Sequence, residues 1–172
     1  SNVVMLDTLV PSSKIRVAAW ADHEQGCTSL AYSYATNHLI TGGKKGEIVI
    51  YDPRQSVRVA LLPAHTRNVR SLAVDEANNR FYSGSSDGDV KVWNLKTLTL
   101  EETWKGHHPR VLMRAAFDRN LVGTYGVLDI AVEKDVLYTC GASDNQDNGS
   151  VKRRTIVSQQ VAAQQTADAP RR

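Results

Sequence analysis

His65-Thr66-Arg67-Asn68-Val69-Arg70-Ser71-Leu72-Ala73 and Phe81-Tyr82-Ser83-Gly84-Ser85-Ser86-Asp87-Gly88-Asp89-Val90-Lys91-Val92-Trp93-Asn94 decide the fold of this chain, because both stretches occur twice. The first echoes His23-Glu24-Gln25-Gly26-Cys27-Thr28-Ser29-Leu30-Ala31. The second echoes Leu39-Ile40-Thr41-Gly42-Gly43-Lys44-Lys45-Gly46-Glu47-Ile48-Val49-Ile50-Tyr51-Asp52. The period is 42 residues without a gap, and His107 falls one further period on. A repeat of about 40–45 residues, with His near its start and Trp near its end, marks the blades of a β-propeller.

Within each copy the apolar residues alternate, as half-buried strands require. The alternation predicts strands over residues 28–33 and 69–74, then over 37–41 and 80–85. Gly46 and Gly88 allow tight reversals into strands 47–51 and 89–93, and outer strands follow over 57–62 and 100–104. The fold class is therefore all-β: about three blades of a larger propeller, each a four-stranded antiparallel sheet. The propeller segment runs over 1–157. It divides into a partial blade 1–22, a blade 23–64, a blade 65–106 and an irregular last blade 107–157. A disordered tail is expected over 158–172, where Gln, Ala, Thr and Pro dominate without periodicity.

The opening residues 2–7 read as the third strand of an earlier blade, with Leu6 in the place of Trp93, and residues 15–20 as its outer strand. The chain thus reads as a fragment of a longer protein, since known propellers close with about 4–8 blades. In the last blade an insertion over 108–125 contains a helix-compatible stretch, 111–117. The strand turn lengthens over 142–149, and Arg154 takes the place of Trp93.

Bulk properties exclude several functions. The chain has 172 residues, 41% hydrophobic and 23% charged, as a globular protein has. No run approaches the roughly 18 apolar residues of a membrane span, so no direct membrane insertion is expected. The net charge of +3 comes from the last residues: 152–172 carry five basic groups and one acid, while 1–151 carry 16 basic and 17 acidic groups. Such a body has no global field to attract nucleic acid. Cys27 and Cys140 read as buried free thiols of a cytosolic protein.

His65, Ser83, Asp87 and Trp93 are the residues that most resemble catalytic chemistry. In a WD-repeat blade the same four types form a structural tetrad, a buried chain of hydrogen bonds from Trp to Ser to His to Asp. No Gly-x-Ser-x-Gly elbow accompanies them, so no catalytic residues are assigned and the chain does not read as an enzyme. The first copy carries a degenerate tetrad: His23 and Thr41 remain, Lys45 replaces the Asp and Tyr51 replaces the Trp. A Lys cannot accept from His, so that blade is expected to rely more on packing. Neither a cofactor nor a metal is expected: the repeat explains His23, His65 and His107, and Asp144, Asn145, Asp147 and Asn148 lack the terminal Glu of a calcium loop. Lys152-Arg153-Arg154 reads as a charged strand that blunts a sheet edge, or as a localisation or phosphate-binding cluster.

The chain resembles the C-terminal WD repeats of the DmX-like proteins, the alpha-type subunits of rabconnectin. The resemblance is carried by Asp7-Thr8-Leu9-Val10, Leu39-Ile40-Thr41-Gly42-Gly43-Lys44-Lys45-Gly46, Tyr51-Asp52-Pro53-Arg54-Gln55, Ala64-His65, Ser83-Gly84-Ser85, Val90-Lys91-Val92-Trp93 and Cys140-Gly141-Ala142. Lys152 and Arg154 in the irregular last blade add to it, and it covers roughly 2–157. It implies a very large, non-enzymatic cytoplasmic scaffold, peripheral on vesicles or endosomal membranes. The implied partners are a second WD-repeat rabconnectin subunit and V-ATPase peripheral-sector subunits. The implied role is V-ATPase assembly and vesicle acidification, with effects on synaptic vesicles and Notch signalling. Departures at 143–148 and 158–172 leave any family contact there open. The alternative is a generic WD-repeat adaptor in trafficking or ubiquitin-ligase substrate recognition. Under either reading Lys44, Arg67, Ser86 and Arg110 are candidate protein-binding residues.

Overall fold

A computed structural model describes residues 3–11, 16–105, 107, 111–112, 124–133, 136–142 and 149–156. These form only strands and turns, with no helix among them. Strands β1 (Val3–Leu6) and β2 (Arg16–Trp20) make a two-stranded antiparallel sheet. Strands β3 (Cys27–Ser33), β4 (His38–Gly43), β5 (Glu47–Asp52) and β6 (Val57–Pro63) form a four-stranded meander. A second meander contains β7 (Val69–Asp75), β8 (Arg80–Ser85), β9 (Val90–Asn94) and β10 (Leu100–Trp104). After the short pair β11 (Val111–Leu112) and β12 (Thr124–Tyr125) comes a three-stranded sheet of β13 (Val127–Glu133), β14 (Val136–Ala142) and β15 (Gly149–Thr155).

The repeat extends to the backbone itself. Asn37 and Asn79 share φ 56, Ser56 and Leu98 have φ 56 and 57, and Gly46 and Gly88 have φ 90 and 95. Each pair lies one period apart, so the same left-handed turns recur in both blades. A β-bulge precedes Leu6, Tyr51 and Trp93 alike, between β1 and β2, β5 and β6, and β9 and β10. Those three side chains therefore occupy equivalent places in their sheets.

The sheets stack in chain order, each burying a face on the next. Val3, Ala18 and Trp20 pack on Val49 and Tyr51. Ile40, Ile48, Ile50 and Val69 meet Phe81 and Trp93. Tyr82, Val90 and Val92 meet Val127, Ile130, Leu137 and Ile156. Each fully buried aliphatic or aromatic side chain contributes about 1.5–3 kcal/mol, so the stack and not the single sheet is the stable unit. The approach is close: a Cβ on Gly42 would strike Val69, and one on Gly84 would strike Val127.

One expectation falls differently. The stretch expected to suit a helix begins as a strand, Val111 pairing with Tyr125 and Leu112 with Thr124; a short apolar run fits either state until pairing decides it. The rest of that insertion, the turn at 143–148 and the tail at 158–172 lie outside the described residues. Arg154 lies on the edge strand β15 and is exposed, in keeping with the expected edge site, and it also has partners on the neighbouring sheet. Its guanidinium lies 3.9 Å from the centroid of the Trp104 ring and 3.3 Å from Glu102 Oε1. The stacking attraction between guanidinium and indole ties the last sheet to the outer strand of its neighbour, and Lys152 donates to the His107 carbonyl.

Candidate functional site

The four residues of the regular blade meet in one buried chain. Trp93 Nε1–H donates to Ser83 Oγ at 2.9 Å, and Ser83 Oγ lies 2.8 Å from His65 Nε2. His65 Nδ1 lies 3.2 Å from Asp87 Oδ2. With the carboxylate ionised, His65 donates to Asp87 and accepts from Ser83, so every polar atom along the line is used. Asp87 also accepts from the amides of Thr66 at 3.1 Å and Asp89 at 3.0 Å. The link entering the blade is thereby fastened to the turn between β8 and β9.

Burial alone would push the Asp87 carboxyl up, but the His65 hydrogen bond and the Asp89 and Thr66 amides hold it well below the ordinary 3.8. A carboxyl lowered by folding stabilises the native state fully above that ordinary value, and its contribution is lost as pH falls below it. Stability should therefore decline as pH drops from about 4 toward 2. Asp87→Asn should flatten that acid limb while lowering stability at pH 7, as chemical denaturation across this range would reveal. An unchanged acid limb in the variant would contradict the assignment.

The degenerate blade differs from the expectation. Lys45 takes no part in its network and pairs instead with the exposed Glu24. Glu47, two residues further on, supplies the carboxylate: its Oε1 lies 2.7 Å from His23 Nδ1, while His23 Nε2 lies 2.8 Å from Thr41 Oγ1. The substitution is geometric. Gly43 stands where the other blade has Ser85, and a Cβ there would strike both Glu47 and His23. The longer Glu side chain thus reaches across space that only glycine leaves open. Tyr51, in the place of Trp93, stacks on Trp20 with centroids 4.8 Å apart. Its buried hydroxyl has no hydrogen-bond partner among the described residues, and burial, followed by the nearby Asp22 carboxylate, pushes its ionisation up.

Glu47→Ala should cost about 1–3 kcal/mol, because it strands a buried imidazole. Lys45→Asp in the same chain should recover part of the loss by restoring the acid at the regular position. Thermal unfolding of the single and double variants separates this from simple loss of packing.

In the last blade His107 Nε2 lies 2.9 Å from Thr139 Oγ1. His65, His23 and His107 therefore hold the same kind of hydroxyl in three successive sheets, whereas the place of the Trp93 indole is taken by Tyr51 in one neighbour and by Arg154 in the other.

On the side of the molecule where these links and turns meet lies an open cleft of about 620 Å³. Lys44 and Lys45 from the β4–β5 turn form one wall, and Thr66, Arg67, Asn68 and Arg70 form the other. Ser86, nearly buried, also lines it. The cleft thus brings together Lys44, Arg67 and Ser86, three of the four residues expected to bind protein. Arg110 lies outside the described residues. Sequence reasoning passed over Arg70 and Asn68, which become neighbours of Lys44 only when two blades stack.

The family description "WD domain, G-beta repeat" matches residues 14–52 and 56–94. The chain is 33% identical to DmX-like protein 1 of Mus musculus over 159 residues, 92% of its length, and 34% identical to DmX-like protein 1 of Homo sapiens over the same span. The chain is a WD-repeat region related to the DmX-like proteins. It spans only 5% of the length of those relatives. Among solved structures it is similar to the WD40 repeats of RRP9, with TM-score 0.64 and 19% identity over 87% of this chain and 44% of that one. Sqt1 of Chaetomium thermophilum, solved bound to the N-terminus of the ribosomal protein L10, aligns with TM-score 0.64 and 22% identity over 86% of this chain and 37% of that one. At these identities the structural likenesses show the propeller fold alone. No helix among the described residues of this WD-repeat region is long and apolar enough to cross a membrane.

Proposed function

We propose that this WD-repeat region is a non-catalytic protein-binding scaffold within a large protein that promotes V-ATPase assembly and the acidification of vesicles. Similarity to DmX-like protein 1 along 92% of the chain carries this reading. The resemblance implies a peripheral place on vesicle or endosomal membranes and a second WD-repeat rabconnectin subunit as partner, together with V-ATPase peripheral-sector subunits. The Ser-His-Asp set supports a structural role over a hydrolytic one. Ser83 and the His65 side chain have no exposed surface, and the Ser83 hydroxyl is held between an indole and an imidazole, leaving no approach for a substrate carbonyl. What the region offers instead is a rim of turns in which Lys44, Arg67 and the recessed Ser86 line one cleft.

Affinity purification of the tagged protein from cells is expected to recover V-ATPase peripheral-sector subunits and the second WD-repeat subunit. Loss of the protein is expected to raise the pH of the vesicle lumen. Recovery of neither partner together with normal acidification would overturn the reading.

A further inference from the structure

We propose that the cleft between the two four-stranded blades binds an extended acidic peptide segment of a partner protein. The proposal rests on the scaffold reading and adds the chemistry of the partner. Among the described residues the four ionisable side chains lining the cleft, Lys44, Lys45, Arg67 and Arg70, are all basic. Two acids that touch lining residues are already engaged: Glu24 pairs with Lys45, and Asp87 is bound to His65 and to the Thr66 amide. Lys44 and Arg70 are exposed and form no ion pair among the described residues. The result is a local positive field on a body whose first 151 residues carry slightly more acid than base. A field confined to one concave site selects a short anionic segment over a long polyanion.

Shape and lining distinguish the classes of anion. The cleft falls within the roughly 300–1,000 Å³ of ligand-holding sites. Among the described residues no aromatic ring lines it, and aromatic rings are the stacking platforms with which proteins hold single-stranded nucleic acid. Ser86 is only 6% exposed, and a flat bilayer surface does not reach so recessed a group. An extended peptide does, because alternate side chains fall on one side at intervals of about 6.5–7 Å. Its acidic side chains meet Lys44 on one wall and Arg70 on the other, while Asn68 and Thr66 offer polar partners to its main chain. Because the walls belong to different blades, a bound peptide also bridges the joint between them.

The test is fluorescence anisotropy of the chain with a labelled, alternating Asp/Glu octapeptide. A Lys octapeptide, a DNA octanucleotide and vesicles of mixed phosphatidylserine and phosphatidylcholine serve as competitors. Saturable binding is expected that weakens as salt rises from about 0.05 to about 0.3 M. Lys44→Glu combined with Arg70→Glu should weaken it by about tenfold or more, since two attractive contacts become repulsive. Lys96→Glu, in the β9–β10 turn away from the cleft, should leave it unchanged, and all variants should keep the wild-type melting temperature. No saturable binding, or equal binding by the double variant, overturns the proposal. Equally strong competition by the oligonucleotide or the vesicles overturns the assignment to peptide. Recovery of the V-ATPase partners by the double variant at wild-type levels would remove the cleft from partner binding and leave the scaffold reading standing. Failure of the wild type to recover them would overturn that reading, while the peptide titration still decides the cleft.

Discussion

Trp93→Ala is expected to lower the stability of the chain by about 3–5 kcal/mol, the range for truncating a buried aromatic side chain. Trp93 stacks on Phe81 with nearly parallel rings and centroids 5.8 Å apart, within the cluster that joins the two regular blades. Its removal opens a cavity at that joint and also takes away the donor to Ser83. For a domain whose whole stability is of order 5–15 kcal/mol, this is a large share. Trp93→Phe bears on the two effects: it keeps most of the apolar area while losing the N–H and part of the ring, so it should cost markedly less than the alanine variant. Equal losses in urea denaturation would place the effect in the hydrogen bond. A negligible loss for alanine would contradict the packing described.

Gly46→Ala should be comparably damaging although it adds a single methyl group. Gly46 has φ 90, a conformation that L residues rarely adopt, and its Cβ would fall against the His65 carbonyl oxygen of the following blade. Backbone strain of about 1–3 kcal/mol is compounded by overpacking of about 1–3 kcal/mol. The Gly46 carbonyl also accepts from the amides of Ala64 at 3.1 Å and His65 at 2.8 Å. The substitution thus strains the seam that forms the cleft as well as a turn. Gly88, at φ 95 in the next blade, should show the same intolerance of a side chain in a thermal-unfolding screen. Wild-type melting temperatures for both alanine variants would contradict this account.

Much of the architecture is legible in the residues, because it is periodic. The alternation of apolar residues, Gly46 and Gly88 at the reversals, and His65 with Trp93 at their spacing locate the strands of both regular blades to within a residue or two. The tetrad contacts of the regular blade are equally legible, since Ser83 and Trp93 sit on adjoining strands of one sheet and Asp87 lies in the turn that joins them. What escapes is whatever depends on reach or on the neighbouring sheet. Glu47 was hidden because a column-by-column comparison of the copies looks for the acid at Lys45, whereas the longer side chain works from two positions away. Its one signal is Gly43, a glycine opposite a serine. Arg154 on Trp104 and Arg70 beside Lys44 join residues of different blades, and no spacing within one repeat encodes them. The strand at Val111–Leu112 escapes for another reason: its pairing partner lies beyond an insertion without periodicity.

The Gly43–Glu47 arrangement carries a consequence for how this blade has changed and can change again. Restoring a serine at 43 drives its side chain into Glu47 and His23. Removing Glu47 first strands the histidine, and installing an aspartate at 45 while Glu47 remains sets two negative charges beside one imidazole. Each single step toward the regular pattern is uphill. The first blade is therefore held on its own side of an epistatic barrier, and Lys45, freed from the network, keeps its charge at the mouth of the cleft.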